Sequence, residues 1–106
     1  MGENEELRAQ TEKVLKAIEK RYGFVPVVNK VTSERPDVFL PSIGFSQAVL
    51  ENDKGALDQK HRYLCAISAA SAVGGEHCVR VQMKHARDAG ASKDEIFEAI
   101  MIGSFM

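Results

Sequence analysis

LDQKHRYLCAISAASAVGGEHCVRVQMKHARDAG, residues 57–90, is the stretch that decides the fold. Its first part, from Leu57 to Val73, becomes almost wholly apolar after Arg62 and is rich in alanine and serine, and such small side chains let helices pack closely. A helix that is apolar on most sides lies in the core or at a subunit interface. The glycines at 74 and 75 end this helix, and a second one is predicted from Glu76 to Ala89, stopped by Gly90.

The segments before this stretch predict three further helices. Residues 3–22 repeat apolar side chains at three- and four-residue steps, as an amphipathic helix does, and Gly23 is placed to close it. Pro26 fits the first turn of a short helix. Another helix is predicted from Pro36 to near Asn52, and Pro41 must kink it or split it in two, because proline lacks the backbone donor.

The C-terminal segment predicts one more helix and an apolar edge. Ser92 and Glu95 fit a capping box, in which each side chain satisfies a free backbone amide of the other residue. The helix then runs into IMIGSFM, residues 100–106, with no charge near its end. Since a natural soluble helix rarely ends on such an exposed edge, either a partner subunit covers it or the natural chain continues past Met106. No strand alternation appears, so the fold class is all-α with about six helices.

Composition bounds the domain count and the compartment. A chain of 106 residues supports a single domain, residues 1–106. A net charge of −1 and the lack of a basic cluster argue against nucleic acid or an acidic membrane as partner. The N-terminus has no apolar signal segment, and the longest uncharged stretch, Tyr63 to Gly75, is too short to span a bilayer. Two cysteines in such a chain are expected to be reduced, in the cytoplasm.

Cys78 is the residue most open to a chemical role. It is predicted in the first turn of its helix, where free backbone amides and the helix dipole favour a thiolate. Gln82 and His85 share its helix face, and His85 is the nearest candidate base. The alternative is that Cys78 simply packs, because free cysteine is among the most buried residue types. Both interpretations stay open at this point.

His77 and the second cysteine are not expected to take part in the chemistry of Cys78. His77 points about 100° away from Cys78 around the helix, toward solvent. Cys65 lies two residues off the face of Tyr63, so we expect a buried structural thiol that does not reach Cys78. The spacing of His61, His77, Cys78 and His85 matches no zinc pattern, so no metal site is predicted, and no cofactor is expected.

The segment GGEHCVRVQMKHARDAGASKDEIFEAI, residues 74–100, behind the helix KHRYLCAISAASAV, resembles the carboxymuconolactone decarboxylase family, which includes the AhpD-like alkylhydroperoxidases. The shared features are a small-residue helix, a cysteine-bearing turn and the run A-x-x-A-G-A-S-x-x-E-I. The resemblance covers the whole chain, more loosely before residue 57. It implies an AhpD-like helical fold that is obligately oligomeric, as a homotrimer or homohexamer.

In the redox-active members that this chain resembles, a C-x-x-C pair at this turn cycles between dithiol and disulfide, with a histidine and a glutamate as proton relay. The second cysteine corresponds to Cys78. The first corresponds to Gly75, the histidine to Gln82 and the glutamate to Tyr63. Gln82 and Tyr63 are not bases near neutral pH, but they can orient a water or a thiolate by hydrogen bonding.

Three functions follow from the resemblance. The first is an antioxidant oxidoreductase with peroxidase (peroxiredoxin) or disulfide-reductase activity, which uses the single thiolate of Cys78 and an external thiol or protein reductant. The second is lactone-decarboxylase-like acid–base chemistry on a small carboxylated ring, with a cationic pocket. The third is an oligomeric binding member without chemistry. Candidate residues for the first are Cys78, His85, Gln82 and Tyr63, and for the second His85, Arg80, Arg62 and Lys60.

Overall fold

The computed structural model describes residues 2–51 and 54–106. Within these residues there are six α-helices and no strand, which confirms the all-α prediction. Their bounds are α1 Gly2–Tyr22, α2 Val27–Thr32, α3 Pro36–Leu50, α4 Gln59–Ala72, α5 Glu76–Asp88 and α6 Lys93–Phe105.

The chain divides into two compact units, residues 1–49 and residues 50–106. The first holds α1, α2 and nearly all of α3, and the second holds α4, α5 and α6. That residues 1–106 form a single domain of the family remains a prediction.

The turns of the first unit follow the glycine and proline positions. Gly23 has a φ of +82°, the left-handed conformation that glycine adopts without cost, and its N–H donates to the carbonyl of Glu19 at 2.7 Å. The predicted closure of α1 at Gly23 is therefore confirmed. Pro26 is the N-cap residue of α2, directly ahead of the first turn in which it was predicted.

Pro41 does not split its segment. The structure has one continuous α3 from Pro36 to Leu50 with Pro41 inside it. A proline in a helix deprives the carbonyl four residues earlier, here Asp37, of its intrahelical donor. The loss is one hydrogen bond, and α3 continues past Pro41 to Leu50. The predicted end near Asn52 lies outside the described residues.

Helix α4 is the centre of the second unit. It packs along both α5 and α6, which contact each other much less. The buried cluster joins Tyr63 and Ile67 of α4 to Ala86 of α5 and to Ile96 and Ala99 of α6. Of the two places predicted for this small-residue helix, the core and a subunit interface, the structure shows the core.

The small residues allow α4 and α6 to approach very closely. Gly103 of α6 is buried, and a Cβ placed on it would lie 2.1 Å from the carbonyl oxygen of Ser68 on α4. The Ser68 hydroxyl donates to the carbonyl of Ala99 at 2.7 Å. Only glycine at 103 permits this backbone contact.

Two helices of the second unit, α4 and α6, begin on side-chain caps. The Asp58 carboxylate accepts the N–H of His61 at the start of α4. Ser92 and Glu95 form the predicted capping box of α6, with bonds of 2.8 and 3.1 Å. Among the described helices α1 is the longest, and neither it nor any other combines the length and apolar content that a bilayer span requires.

Candidate functional site

Cys78 lies in the first turn of α5 with an exposed, free thiol. Gly75 is the N-cap residue of that helix, and Gly74 before it has a φ of +72°, so the two glycines make the turn between α4 and α5. The exposure rules out, for this structure, the alternative in which Cys78 is a buried packing residue. The exposed position at the helix N-terminus leaves the sulfur accessible to a substrate.

Residues 75 and 78 are as far apart as two cysteines in a disulfide, although residue 75 is a glycine. A Cβ placed on Gly75 would lie 3.7 Å from the Cβ of Cys78. Disulfides have Cβ···Cβ distances of about 3.5–4.5 Å. The turn therefore keeps the geometry of a C-x-x-C pair although only one thiol is present.

His85 and Tyr63 are brought together by the packing of α5 on α4. Both are buried, and their rings stack with centroids 4.8 Å apart and planes 17° apart. The Tyr63 hydroxyl donates to the Glu51 carboxylate at 3.3 Å. Glu51, which sequence reasoning missed, thus supplies a carboxylate beside Tyr63. Nothing in its sequence context indicates this contact, which depends on the path of the chain before α4.

Gln82 lies between Cys78 and His85 on α5. Seven residues of helix separate the Cα atoms of Cys78 and His85 by about 10 Å, so the thiol and the imidazole are not neighbours. Gln82 is half-buried, and its Oε1 atom is buried with no hydrogen-bond partner among the described residues. This oxygen can accept a hydrogen bond from a bound substrate or a water that lies between Cys78 and His85.

The prediction that Cys65 is buried is wrong. Its thiol is exposed, and it lines a shallow groove with His61, Leu64 and Ile102. The α4 surfaces that face the core are those of Tyr63 and Ile67, and Cys65 falls outside them. An apolar run does not by itself tell which side of a helix is covered.

The other two histidines, His77 and His61, lie away from the stack of His85 on Tyr63. His77 is half-buried rather than solvent-facing. His61 Nδ1 lies 2.6 Å from Asp58 Oδ1. The backbone N–H of His61, and then its ring, hold the pKa of Asp58 below its usual range. In the parts of the chain that the structure describes, no three His, Cys, Asp or Glu side chains cluster as metal ligands.

The candidate cations for acid–base chemistry have different surroundings. Lys60 is paired with Glu95 at 2.9 Å. Arg80 is exposed on α5. Arg62 is only 9% exposed, and its Nη1 is buried without a hydrogen-bond partner among the described residues. Its guanidinium lies against Gly55, where an added Cβ would overlap Nη2.

The comparisons with known proteins give one match. The family model described as the carboxymuconolactone decarboxylase family matches residues 36–106. Neither a comparison with curated proteins nor one with solved structures finds a match. The matched residues include α4, α5 and α6, and with them Cys78 and all of the residues just described.

Proposed function

The chain belongs to the carboxymuconolactone decarboxylase family, and we propose that it is a thiol-dependent oxidoreductase that reduces a peroxide or a disulfide through Cys78 alone. The observation that carries the proposal is the exposed free thiol of Cys78 in the first turn of α5. It occupies the position that corresponds to the second cysteine of the family's redox-active members. The partners proposed with it are an external thiol or protein reductant and further copies of the chain.

The reaction with a peroxide is balanced as follows. The Cys78 thiolate attacks one peroxide oxygen, the O–O bond breaks, and the leaving alkoxide takes a proton to become an alcohol or water. The resulting sulfenic acid condenses with an external thiol, releasing water and forming a mixed disulfide. A second external thiol then releases Cys78 as a thiol and leaves as the disulfide. External thiols are required because residue 75 is glycine.

Gln82, His85 and Tyr63 assist this reaction in different ways. The free Oε1 of Gln82 accepts a hydrogen bond from the peroxide or from a water and orients it toward the thiol. His85 lies farther along α5 and is held by its stack on Tyr63. Tyr63 in turn donates to Glu51. A proton passes between Cys78 and His85 through the group bound at Gln82.

The experiment uses Cys65 as an internal control, because both thiols are exposed. Alkylation by iodoacetamide is followed by peptide mass in the wild type, Cys65→Ser and Cys78→Ser. We expect Cys78 to react about tenfold faster than Cys65 near neutral pH, because only Cys78 lies at a helix N-terminus. Mild peroxide should add one oxygen to Cys78 in the wild type and in Cys65→Ser.

Two results would contradict the oxidoreductase function. One is an equal rate of alkylation at the two cysteines. The other is oxidation by peroxide that reaches the same extent in Cys78→Ser as in the wild type. His85→Phe keeps a ring on Tyr63 and removes the base, so the folded variant should form the sulfenic acid more slowly. Near-wild-type kinetics in this variant would remove His85 from the mechanism without removing Cys78.

A second candidate function is acid–base decarboxylation of a small carboxylated lactone. Arg62 favours it, because a buried guanidinium whose Nη1 has no partner among the described residues suits a carboxylate ligand. Release of carbon dioxide from a carboxylated muconolactone by Cys78→Ser, lost in Arg62→Met, would assign this function. No turnover in either assay, with the fold intact, would leave the third possibility, a binding member of the family.

A further inference from the structure

A second surface of the molecule, away from Cys78, has the composition of a binding site. It is a groove of about 590 Å³ between the C-terminal half of α5 and the N-terminal half of α6, here called the α5–α6 groove. It exists because α5 and α6 both pack on α4 and touch each other little. Its apolar side chains include Met83, Ile96, Phe97 and Ile100, and its charged side chains are Arg87 and Lys93.

The apolar part of the groove has a floor that is fixed in the core and a wall that is open to solvent. Ile96 is buried and belongs to the core, so it fixes the floor. Phe97 is 59% exposed and forms a free wall. Small-molecule sites in proteins are mostly apolar clefts of about 300–1,000 Å³ with a few polar groups that orient the ligand. The α5–α6 groove fits this description in size and lining.

The charges in the groove have one sign. Arg87 and Lys93 are exposed, no acidic residue lines the groove, and neither cation forms a salt bridge with another described residue. The adjoining groove along α5 adds Arg80 and Lys84, and its one carboxylate, Asp88, is already 3.5 Å from Lys84. Since the whole chain carries a net charge of −1, these cations concentrate positive charge on this surface.

We propose that the α5–α6 groove binds an amphipathic monoanion, an aliphatic chain that ends in a carboxylate. The carboxylate pairs with Arg87 and Lys93, and the chain lies across Phe97, Ile96 and Ile100. Bidentate pairing with a guanidinium supplies orientation, and burial of methylene groups supplies most of the affinity. This site is independent of the thiol chemistry, because neither Cys78 nor His85 lines it.

Isothermal titration of the full chain with decanoate tests the proposal, with decyltrimethylammonium and butyrate as comparison ligands. We expect saturable binding of one decanoate per chain. Decyltrimethylammonium has the same chain with the opposite charge and should not bind, and butyrate should bind far more weakly because it buries fewer methylenes. Binding should weaken at high salt, since exposed charges are screened.

Surface variants separate the charge from the apolar wall. Arg87→Gln with Lys93→Gln should weaken decanoate about tenfold, the loss expected when a charge-assisted contact is removed. Phe97→Ser should weaken it several-fold with the charges intact. Lys13→Gln with Lys16→Gln on α1 removes the same charge elsewhere and should change nothing.

The proposal fails if no saturable binding is found, if the cationic amphiphile binds as well as decanoate, or if the Arg87 and Lys93 variant binds like the wild type. It also fails if Phe97→Ser alters self-association in size exclusion and leaves decanoate binding unaffected, because the groove is then an interface between copies. Each variant is checked by circular dichroism, and all the changed residues are exposed.

Discussion

At the scale of single residues, the site differs from the C-x-x-C pattern of the redox-active proteins that the chain resembles, because residue 75 is glycine and Glu51 is a neighbour of Tyr63. Gly75 keeps the Cβ spacing of a disulfide, and Glu51 places a carboxylate at the Tyr63 hydroxyl. Sequence reasoning found Cys78, Gln82, His85 and Tyr63 as candidates. It could not find Glu51 or the exposure of Cys65, because both depend on which surfaces the chain brings together.

The geometry at residue 75 gives the first prediction. Gly75→Cys in a Cys65→Ser background should form a disulfide with Cys78 under mild oxidation, because the two Cβ atoms are already 3.7 Å apart. Intact mass should fall by two hydrogen atoms, and both free thiols should disappear. The same variant with Cys78→Ser should form no intramolecular bond. Persistence of two free thiols under oxidising conditions would mean that the turn is not arranged as described.

At the scale of helices, the close approach of α6 to α4 depends on Gly103. Gly103→Ala places a methyl group against the backbone of Ser68. Backbone atoms cannot rotate out of the way as the end of a flexible side chain can. We expect the free energy of unfolding to fall by about 1–3 kcal/mol, as overpacking of a core does. Urea denaturation measures it.

Gly44→Ala is the matched control for that change. Gly44 is inside α3, and an added Cβ there would meet nothing within 4 Å. Because alanine favours the helix more than glycine, this variant should be unchanged or more stable by up to about 1 kcal/mol. Equal destabilisation by both substitutions would contradict the special role of Gly103.

The start of α6 gives a pH prediction. The backbone N–H of Ser92, followed by Lys60, lowers the pKa of Glu95 to about 2. Since the unfolded value is about 4.3, the stabilisation is fully present above that pH and is lost as pH falls toward about 2. Glu95→Gln keeps the cap but removes the ion pair with Lys60.

The wild type should therefore be more stable than Glu95→Gln near neutral pH, and this difference should shrink between about pH 4.5 and about pH 2. Urea denaturation across this range measures it. Glu98→Gln, three residues along α6, is the control and should show no such convergence. A difference between wild type and Glu95→Gln that is constant with pH would refute the assignment.

At the scale of the whole molecule, the exposed apolar surface of α6 supports the proposed homo-oligomer. Met101 and Phe105 lie four residues apart on one face, and Phe105 is 89% exposed. Met101→Lys with Phe105→Lys should shift the protein to a smaller species in size exclusion coupled to light scattering, because apolar surface drives association. Gln10→Lys with Ala17→Lys adds the same two charges on the exposed surface of α1 and should not. A wild type that is monomeric at micromolar concentration would contradict the oligomer.

The sequence by itself determined the helices, their glycine and serine boundaries and the family, and it pointed to the residue proposed as nucleophile. These depend on local rules, since caps, periodicity and turn glycines act within a few residues. The tertiary structure decided which side of α4 is covered, that His85 stacks on Tyr63, and that Pro41 leaves α3 unbroken. It also decided that Glu51 reaches Tyr63 and that cations collect beside an apolar groove. The physical reason is that burial and pairing are properties of neighbouring surfaces, and residues far apart in the chain meet only when the helices pack.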